Sequence, residues 1–459
     1  MSNTASIRID SENSALKVWK ELGALTIPVL IGNFLQQTYN AVDTIIVGKY
    51  VGEEAFSAIG IAGTVSNLLL FLIFGCCTGI SVIAAEYFGK RDFRLLRKEL
   101  KLALITGAAF TVMISVISML LLTPLLKLLS TPETLVPYVK EYLIIIQVCL
   151  IVSFINNCLF SVQRAMSEAK SAALFLAVSM ISNIFLDLFF VGLLKMSIAG
   201  AAYATILAQI ISIICSLVHI SRKFPQLLKN ERIDRSDIIL LKRTASYSFV
   251  SALHMSSLYI GRMLVQGIVN TIDFAAIAAF TATSRIESLA QAISTSVAEG
   301  LALYVAQNRG ANNKYKINKG IQAGSIFLLV SGAVVSATMI FCPEFLMRIM
   351  LSPAEDATLK AGVSYFSFLG FFYVLCYHGN LFLGYCRGSG RITLQFIITT
   401  SHLALRVVIA YLTVGRLGLN GVALGTGIGW ILMTVMQLIG FKICRKKDDM
   451  LTSNIFSPI

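Results

Sequence analysis

Two aspartates stand inside otherwise apolar sequence, each in company that could hold a cation or a proton. Asp43 closes a run of Asn33, Gln36, Gln37 and Asn40 at steps of three or four, which is one face of a helix. Tyr39 sits one turn before Asp43 and flanks that stripe. Asn183 and Asp187 are four apart, again on one face, and Thr205 lies in the next apolar stretch. Counted from the nearest span ends at Gly48 and Lys195, Asp43, Asp187 and Thr205 fall within about one and a half turns of one level. Two carboxylates, an amide and a hydroxyl can ligate a dehydrated Na⁺ through oxygen. They can equally share protons, because desolvation and a neighbouring like charge both raise a carboxyl pKa. The competing reading is a structural cluster bonding helix to helix, and Thr205 is most open to it because Thr426 holds the matching place further on. An aspartate at mid-membrane costs about 2.5 to 3.5 kcal/mol to insert, which favours a functional reason for keeping it.

A second group is spread over four later stretches. His254, Glu299, His378 and His402 each lie nine to eleven residues from a basic residue at a span end, so they share a level roughly 13 to 17 Å deep. Histidine titrates nearest neutral pH and is the commonest metal ligand. These four predict a site that senses protons or touches substrate, against four unrelated polar positions pointing apart.

The elements that carry these residues must cross a bilayer. The 459-residue chain is 56% hydrophobic and 14% charged, with a mean hydropathy of +0.78, too little polar surface for a soluble globule. Twelve apolar stretches are legible, roughly 22–47, 55–85, 101–126, 136–160, 171–194, 198–220, 244–270, 274–305, 319–346, 361–385, 392–414 and 418–443. Each reaches the ~20 residues of a membrane-crossing helix. The expected fold is an all-α integral membrane protein of twelve transmembrane helices in two pseudo-symmetric six-helix bundles around a central cleft. The net charge of +14 is explained by its distribution: 28 of the 38 Lys and Arg fall in segments on the N-terminal side of the membrane, seven on the other side, and three (Arg262, Arg285, Arg406) within spans. That bias predicts a multi-pass plasma (inner) membrane protein with both termini cytoplasmic, and it removes the case for nucleic acid as a partner. Residues 1–21 lack the apolar core of a secretory signal. The nine cysteines lie in or beside spans without metal-ligand spacing and read as small buried thiols.

The bundle is written twice. Gly79, Ala85, Gly89 and Lys98 recur 221 positions later as Gly300, Ala306, Gly310 and Lys319, and Gly200 to Thr205 matches Gly421 to Thr426 at the same offset. The expected organisation is a cytoplasmic segment 1–21, an N-lobe 22–221, a polar cytoplasmic linker 222–243, a C-lobe 244–443 and a cytoplasmic tail 444–459. Six spans per copy place the copies around a pseudo-two-fold axis along the membrane normal. The basic stretches after spans 2 and 8 predict short amphipathic surface helices.

Gln37-Thr38-Tyr39-Asn40-Ala41-Val42-Asp43 followed by Val47-Gly48 resembles the first-span motif of multidrug and toxic compound extrusion (MATE) antiporters. Gln163-Arg164-Ala165-Met166, Asn183 to Asp187, and Gly200 to Thr205 resemble that family's fourth-to-sixth-span region. The resemblance covers the whole chain. It implies two lobes around a cleft and alternating access that exports amphipathic, often cationic small molecules or drugs in exchange for H⁺ or Na⁺. It makes Asp43, Asn183, Asp187 and Thr205, with Tyr39 adjacent, the coupling-cation site, and Pro28 the point at which the first helix bends. It further implies no cofactor beyond the coupling ion and no enzymatic chemistry. Two departures stand out. The acids that some branches carry in spans 7 and 10 are absent, which places coupling in the first lobe. Arg262 and Glu299 stand where the family pattern is neutral, and join His254, His378 and His402 as a second-lobe polar group that hints at a specialised substrate.

The nearest alternative is a lipid or lipid-linked saccharide flippase of the wider superfamily, which a strongly cationic cleft or fourteen spans would favour. No nucleotide-binding loop, Gly-x-Ser-x-Gly or His-Glu-x-x-His motif is present, so neither ATP-driven transport by this chain alone nor an intramembrane hydrolase is supported. The partners expected are the bilayer and a small-molecule substrate, with a monomer sufficient because two lobes complete one cleft.

Overall fold

The computed structural model describes residues 2–51, 53–128, 131–229, 231, 234, 237–350 and 356–453, and of these only the backbone at 2–15, 39–41, 43–45, 47, 48, 53–57, 128, 228 and 442–453. Nearly all of it is helix, as long apolar runs with few internal breakers require. The first copy comprises α1 (Ser2–Val51), α2 (Glu53–Gly89), α3 (Phe93–Leu120), α4 (Leu122–Leu128), α5 (Val136–Val148), α6 (Leu150–Ala165), α7 (Ala169–Asp187) continued by a π-helical turn Leu188–Leu193, and α8 (Ser197–Lys223). The second comprises α9 (Ile238–Val269), α10 (Phe274–Gly310), α11 (Lys314–Phe341), α12 (Pro343–Met350), α13 (Asp356–Gly388), α14 (Ile392–Leu417) and α15 (Leu419–Ser453).

Among the described residues, ten helices are long and apolar enough to cross a membrane, and α5 with α6, bent by 50° at Cys149, make an eleventh. The remaining span of the twelve is α9. Its 32 residues suffice at about 48 Å, but Ser246, Ser248, Ser251, His254, Ser256 and Arg262 make it too polar to stand out by hydropathy.

The duplication holds element by element. α2, α3 and α4 begin at 53, 93 and 122, and α10, α11 and α12 begin at 274, 314 and 343, each 221 later. The turns repeat too. Arg91 and Asn312 adopt the left-handed conformation at φ 57° and 54°, and the next residues, Asp92 and Asn313, accept hydrogen bonds from the backbone N–H of Leu95 and Lys316, both at 3.0 Å. These caps start α3 and α11 as single helices that run on into the spans. The short surface helices expected there are therefore the first turns of the spans themselves.

The molecule divides into two compact units, residues 1–256 with 302–319 and residues 257–301 with 320–459. Within the first unit the basic ends of the two copies meet through equivalent positions. A Cβ on Gly89 would overlap the carbonyl of Gln307, and one on Gly310, its counterpart, would overlap the carbonyl of Glu86, the counterpart of Gln307. Further along, Gly79 and Gly75 would meet the backbone of Ser248 and Ala252 at 2.7 and 2.5 Å. Only glycine admits backbones this close. Glu86 adds charge to the contact, with Lys90 at 2.8 Å, Arg243 at 2.5 Å and Arg309 at 3.9 Å.

The linker between copies is tied to α3. The Lys98 ammonium donates to Asp237 at 2.9 Å and Asp234 at 3.2 Å, Arg97 pairs with Glu231 and donates to the Gln226 carbonyl at 2.7 Å, and Thr244 donates to Glu99 at 2.7 Å. The Asp234 backbone N–H and the Lys98 ammonium together hold the Asp237 carboxyl below the usual carboxylate range. Of the described cysteines, Cys76, Cys77, Cys158, Cys376 and Cys386 are buried free thiols as expected, whereas Cys342, at the junction of α11 and α12, is exposed.

Candidate functional site

In the first unit α7 packs between α1 and α8, and it carries Asn183 and Asp187 into that contact. Both side chains are buried, at 1% and 0% exposure. The Asn183 amide has no hydrogen-bond partner among the described residues on either its oxygen or its nitrogen. An unpaired buried amide costs on the order of 1 to 3 kcal/mol, so a protein that keeps one gains elsewhere. Thr205, half-buried on α8, belongs to the adjoining helix. Regular helix stops at Asp187 and the chain winds as a π-helix through Leu193. π-Turns concentrate at functional sites because they re-aim the side chains around them. This one is seated against Gly200 of α8, whose Cβ would meet Phe190 and Val191 at 3.2 Å. No π-helical turn follows α14, the counterpart helix, among the described residues.

The first-span stripe is placed in part. Asn33 is half-buried and Gln36 and Gln37 are exposed on α1, while the side chains of Tyr39, Asn40 and Asp43 lie outside the described residues. Pro28 is buried within a helix that continues through it. Lacking an N–H, it leaves one helical carbonyl on the preceding turn without its donor, the local cause of any bend there.

In the second unit the buried polar group differs from the one the sequence suggests. Glu287 of α10 is buried and accepts a hydrogen bond from Tyr365 of α13 at 2.9 Å, and Tyr377 donates to the Ala290 carbonyl at 2.6 Å. Arg285 is exposed and shares no face with Glu287, since residues two apart on a helix point away from each other. No ion pair joins the two among the described residues. The electrostatic neighbours of Glu287 are instead Arg262 of α9 and Arg406 of α14. Arg262 is exposed and donates to Gln291 at 3.4 Å, and the Arg406 Nε is buried without an acceptor among the described residues.

The four-member layer is carried on four helices, α9, α10, α13 and α14. His402 is buried on α14 one turn before Arg406, His378 is half-buried on α13, and Glu299 is half-buried with Arg387 as its charged neighbour. His254 is buried in the first unit. Among the described residues no three His, Cys, Asp or Glu side chains converge as a metal site. The Glu287–Tyr365–Arg406 group was the part missed, and its signal was available: an acid and a cation within apolar spans, each needing a partner from another helix.

Eleven apolar spans among the described residues, joined by the more polar α9 and written as two repeats with buried polar side chains, define an integral membrane transporter. The MatE family model matches twice, over residues 28–189 and 251–412. The probable multidrug resistance protein YpnP of Bacillus subtilis is 24% identical over 94% of this chain and 96% of its own length. Among solved structures, a MATE transporter in its bent conformation aligns with a TM-score of 0.84 at 22% identity, covering 96% of this chain and 98% of that one. A MOP superfamily transporter from Pyrococcus furiosus, described as having a binding pocket of reverse polarity, aligns with a TM-score of 0.81 at 25% identity over 95% and 97% of the two chains. The chain belongs to the MatE family, whose members are multi-pass membrane transporters of the multidrug type and not enzymes.

Proposed function

We propose that this protein is a secondary antiporter that exports amphipathic small molecules by alternating access, driven by inward movement of H⁺ or Na⁺. The observation that carries this reading is the buried pair Asn183 and Asp187 at the mouth of a π-helical turn. A carboxylate out of water must be protonated or bound to a cation, so its occupancy responds to the ion gradient. Asp43 and Tyr39 on α1 and Thr205 on α8 complete the set of oxygen donors. Loading them from outside would bias α1 near Pro28 toward the state that releases substrate outward, and unloading inside would reset the cycle. In this reading 22–221 and 244–443 are the two lobes, both termini are cytoplasmic, the membrane is the plasma membrane and a monomer suffices.

The test is efflux of a fluorescent amphipathic dye from proteoliposomes under separately imposed Na⁺ and pH gradients, comparing the parent with Asp43→Asn and Asp187→Asn. Each substitution should cut gradient-driven efflux at least tenfold, with the parent responding to one gradient only. Unimpaired efflux in both variants would sink the coupling site.

A further inference from the structure

The two polar groups occupy equivalent places in the two copies, and their charge is inverted between them. The two family matches begin at residues 28 and 251, and α7 and α14 begin at Ala169 and Ile392, so positions 223 apart correspond in these helices. Tyr39 and Asn183 then correspond to Arg262 and Arg406, and Asp43 and Asp187 to Gln266 and Ala410. Where the first copy holds two acids and neutral oxygen donors, the second holds two guanidiniums, an amide and a methyl.

The second unit brings these guanidiniums to one place. α9 packs on α14 where a Cβ on Gly261 would meet Leu403 at 3.1 Å, and Leu264 and Ile268 line a groove with Val407 and Val408. Arg262 and Arg406 flank that contact and are electrostatic neighbours. Counted from the same-side helix ends Val269, Leu417 and Phe274, Arg262, Arg406 and Glu287 lie about 10 to 20 Å deep.

An internal ion-pair cluster is the competing account, and it fails on count and on geometry. Two guanidiniums face one carboxylate, so full pairing would still leave one positive charge. Glu287 spends its contact on Tyr365, and among the described residues Arg262 donates to the neutral Gln291 alone and the Arg406 Nε has no acceptor. A guanidinium in hydrocarbon without a counter-charge costs several kcal/mol, and Arg262 is exposed, so it must face water within the span. A planar fork of donors in such a place fits a carboxylate or phosphate.

We propose that Arg262 and Arg406, with Gln291 as a neutral partner, form an anion-binding site in the second unit that takes the carboxylate or phosphate group of an amphipathic substrate. The proposal rests on the transporter reading above and replaces the expectation of a mainly cationic substrate. Arg262 is the contact residue. Arg406 adds positive field beside it.

The purified full-length protein in detergent would be titrated with carboxyfluorescein, an amphipathic anion, and with rhodamine 6G, an amphipathic cation, following fluorescence anisotropy. The parent should bind the anionic probe, and Arg262→Gln and Arg406→Gln should each weaken it at least tenfold while rhodamine binding stays within twofold. Arg262→Lys keeps the charge and loses the fork, so it should fall between parent and Arg262→Gln, and it serves if the glutamine variants do not fold. Competition by inorganic phosphate would assign the site to free anions as well. Absence of that competition would restrict it to anionic groups carried on an amphipath. Binding of the cation alone, or anion affinity unchanged in the folded Arg262 variants, would overturn the proposal. Equilibrium binding needs no gradient, so loss of coupled efflux in Asp187→Asn reports on the antiport reading and leaves this one separately decided.

Discussion

At the scale of single residues, the buried polar side chains decide where this protein can be changed. Glu287 is a carboxyl held by one phenol, so Tyr365→Phe should lower stability by about 2 kcal/mol, read as a fall in the thermal unfolding midpoint in detergent. Glu287→Gln in the same background should cost less than it does alone, because the two share one bond. Glu168, between α6 and α7, gives the pH dependence. Burial is the largest influence on its carboxyl and pushes it up, but Lys223 at 2.6 Å, His219 at 3.2 Å and Ser171 at 3.2 Å together outweigh it and hold it below the usual range. A depressed carboxyl stabilises the fold above its unfolded pKa of about 4.3 and loses that contribution as pH falls through the folded value. Glu168→Gln should therefore cost about 1 kcal/mol or less at pH 7, since Lys223 is half exposed, and progressively less as the pH is taken below about 4.

At the scale of elements, the helices were legible because apolar runs of twenty residues announce themselves, and the repeat was legible because its glycines and basic residues keep their spacing. What the sequence concealed were partnerships across helices. Lys98 and Lys319 are equivalent by spacing, yet Lys98 holds the linker through Asp234 and Asp237 while Lys319 lies over the Tyr315 ring. The linker follows only the first copy, so only one of the two lysines has acids to meet. Arg285 and Glu287 stand two apart in sequence, and the fold sends one to the surface and the other to Tyr365. The π-turn after Asp187 had no signal at all, since nothing in Leu188 to Leu193 requires one winding over another. The Lys98 ammonium donates to Asp237 at 2.9 Å and so ties the linker to α3. Asp237→Asn should accordingly release the 225–237 segment, seen as faster tryptic cleavage there with the spans left intact.

At the scale of the whole molecule, the alternating access proposed above requires a contact that can close and part, and the glycine faces of α2 are the contact to test. Gly79→Leu would push α2 off the Ser248 backbone, and a membrane-impermeant maleimide applied to the basic face should then label Ser248→Cys at least fivefold faster than in the parent background. Equal labelling would place the moving contact elsewhere. The reciprocal meeting of Gly89 with Gln307 and of Gly310 with Glu86 has the form of a self-complementary patch, in which position i of one copy touches position j of the other and j touches i. That is how two identical chains associate. The contact has the geometry that an interface between two half-length copies would have, and within one chain its two sides are free to differ. Glutamate on one side and glutamine on the other use that freedom: acids at both places would set two carboxylates to be neutralised, and this chain gathers Lys90, Arg243 and Arg309 around one.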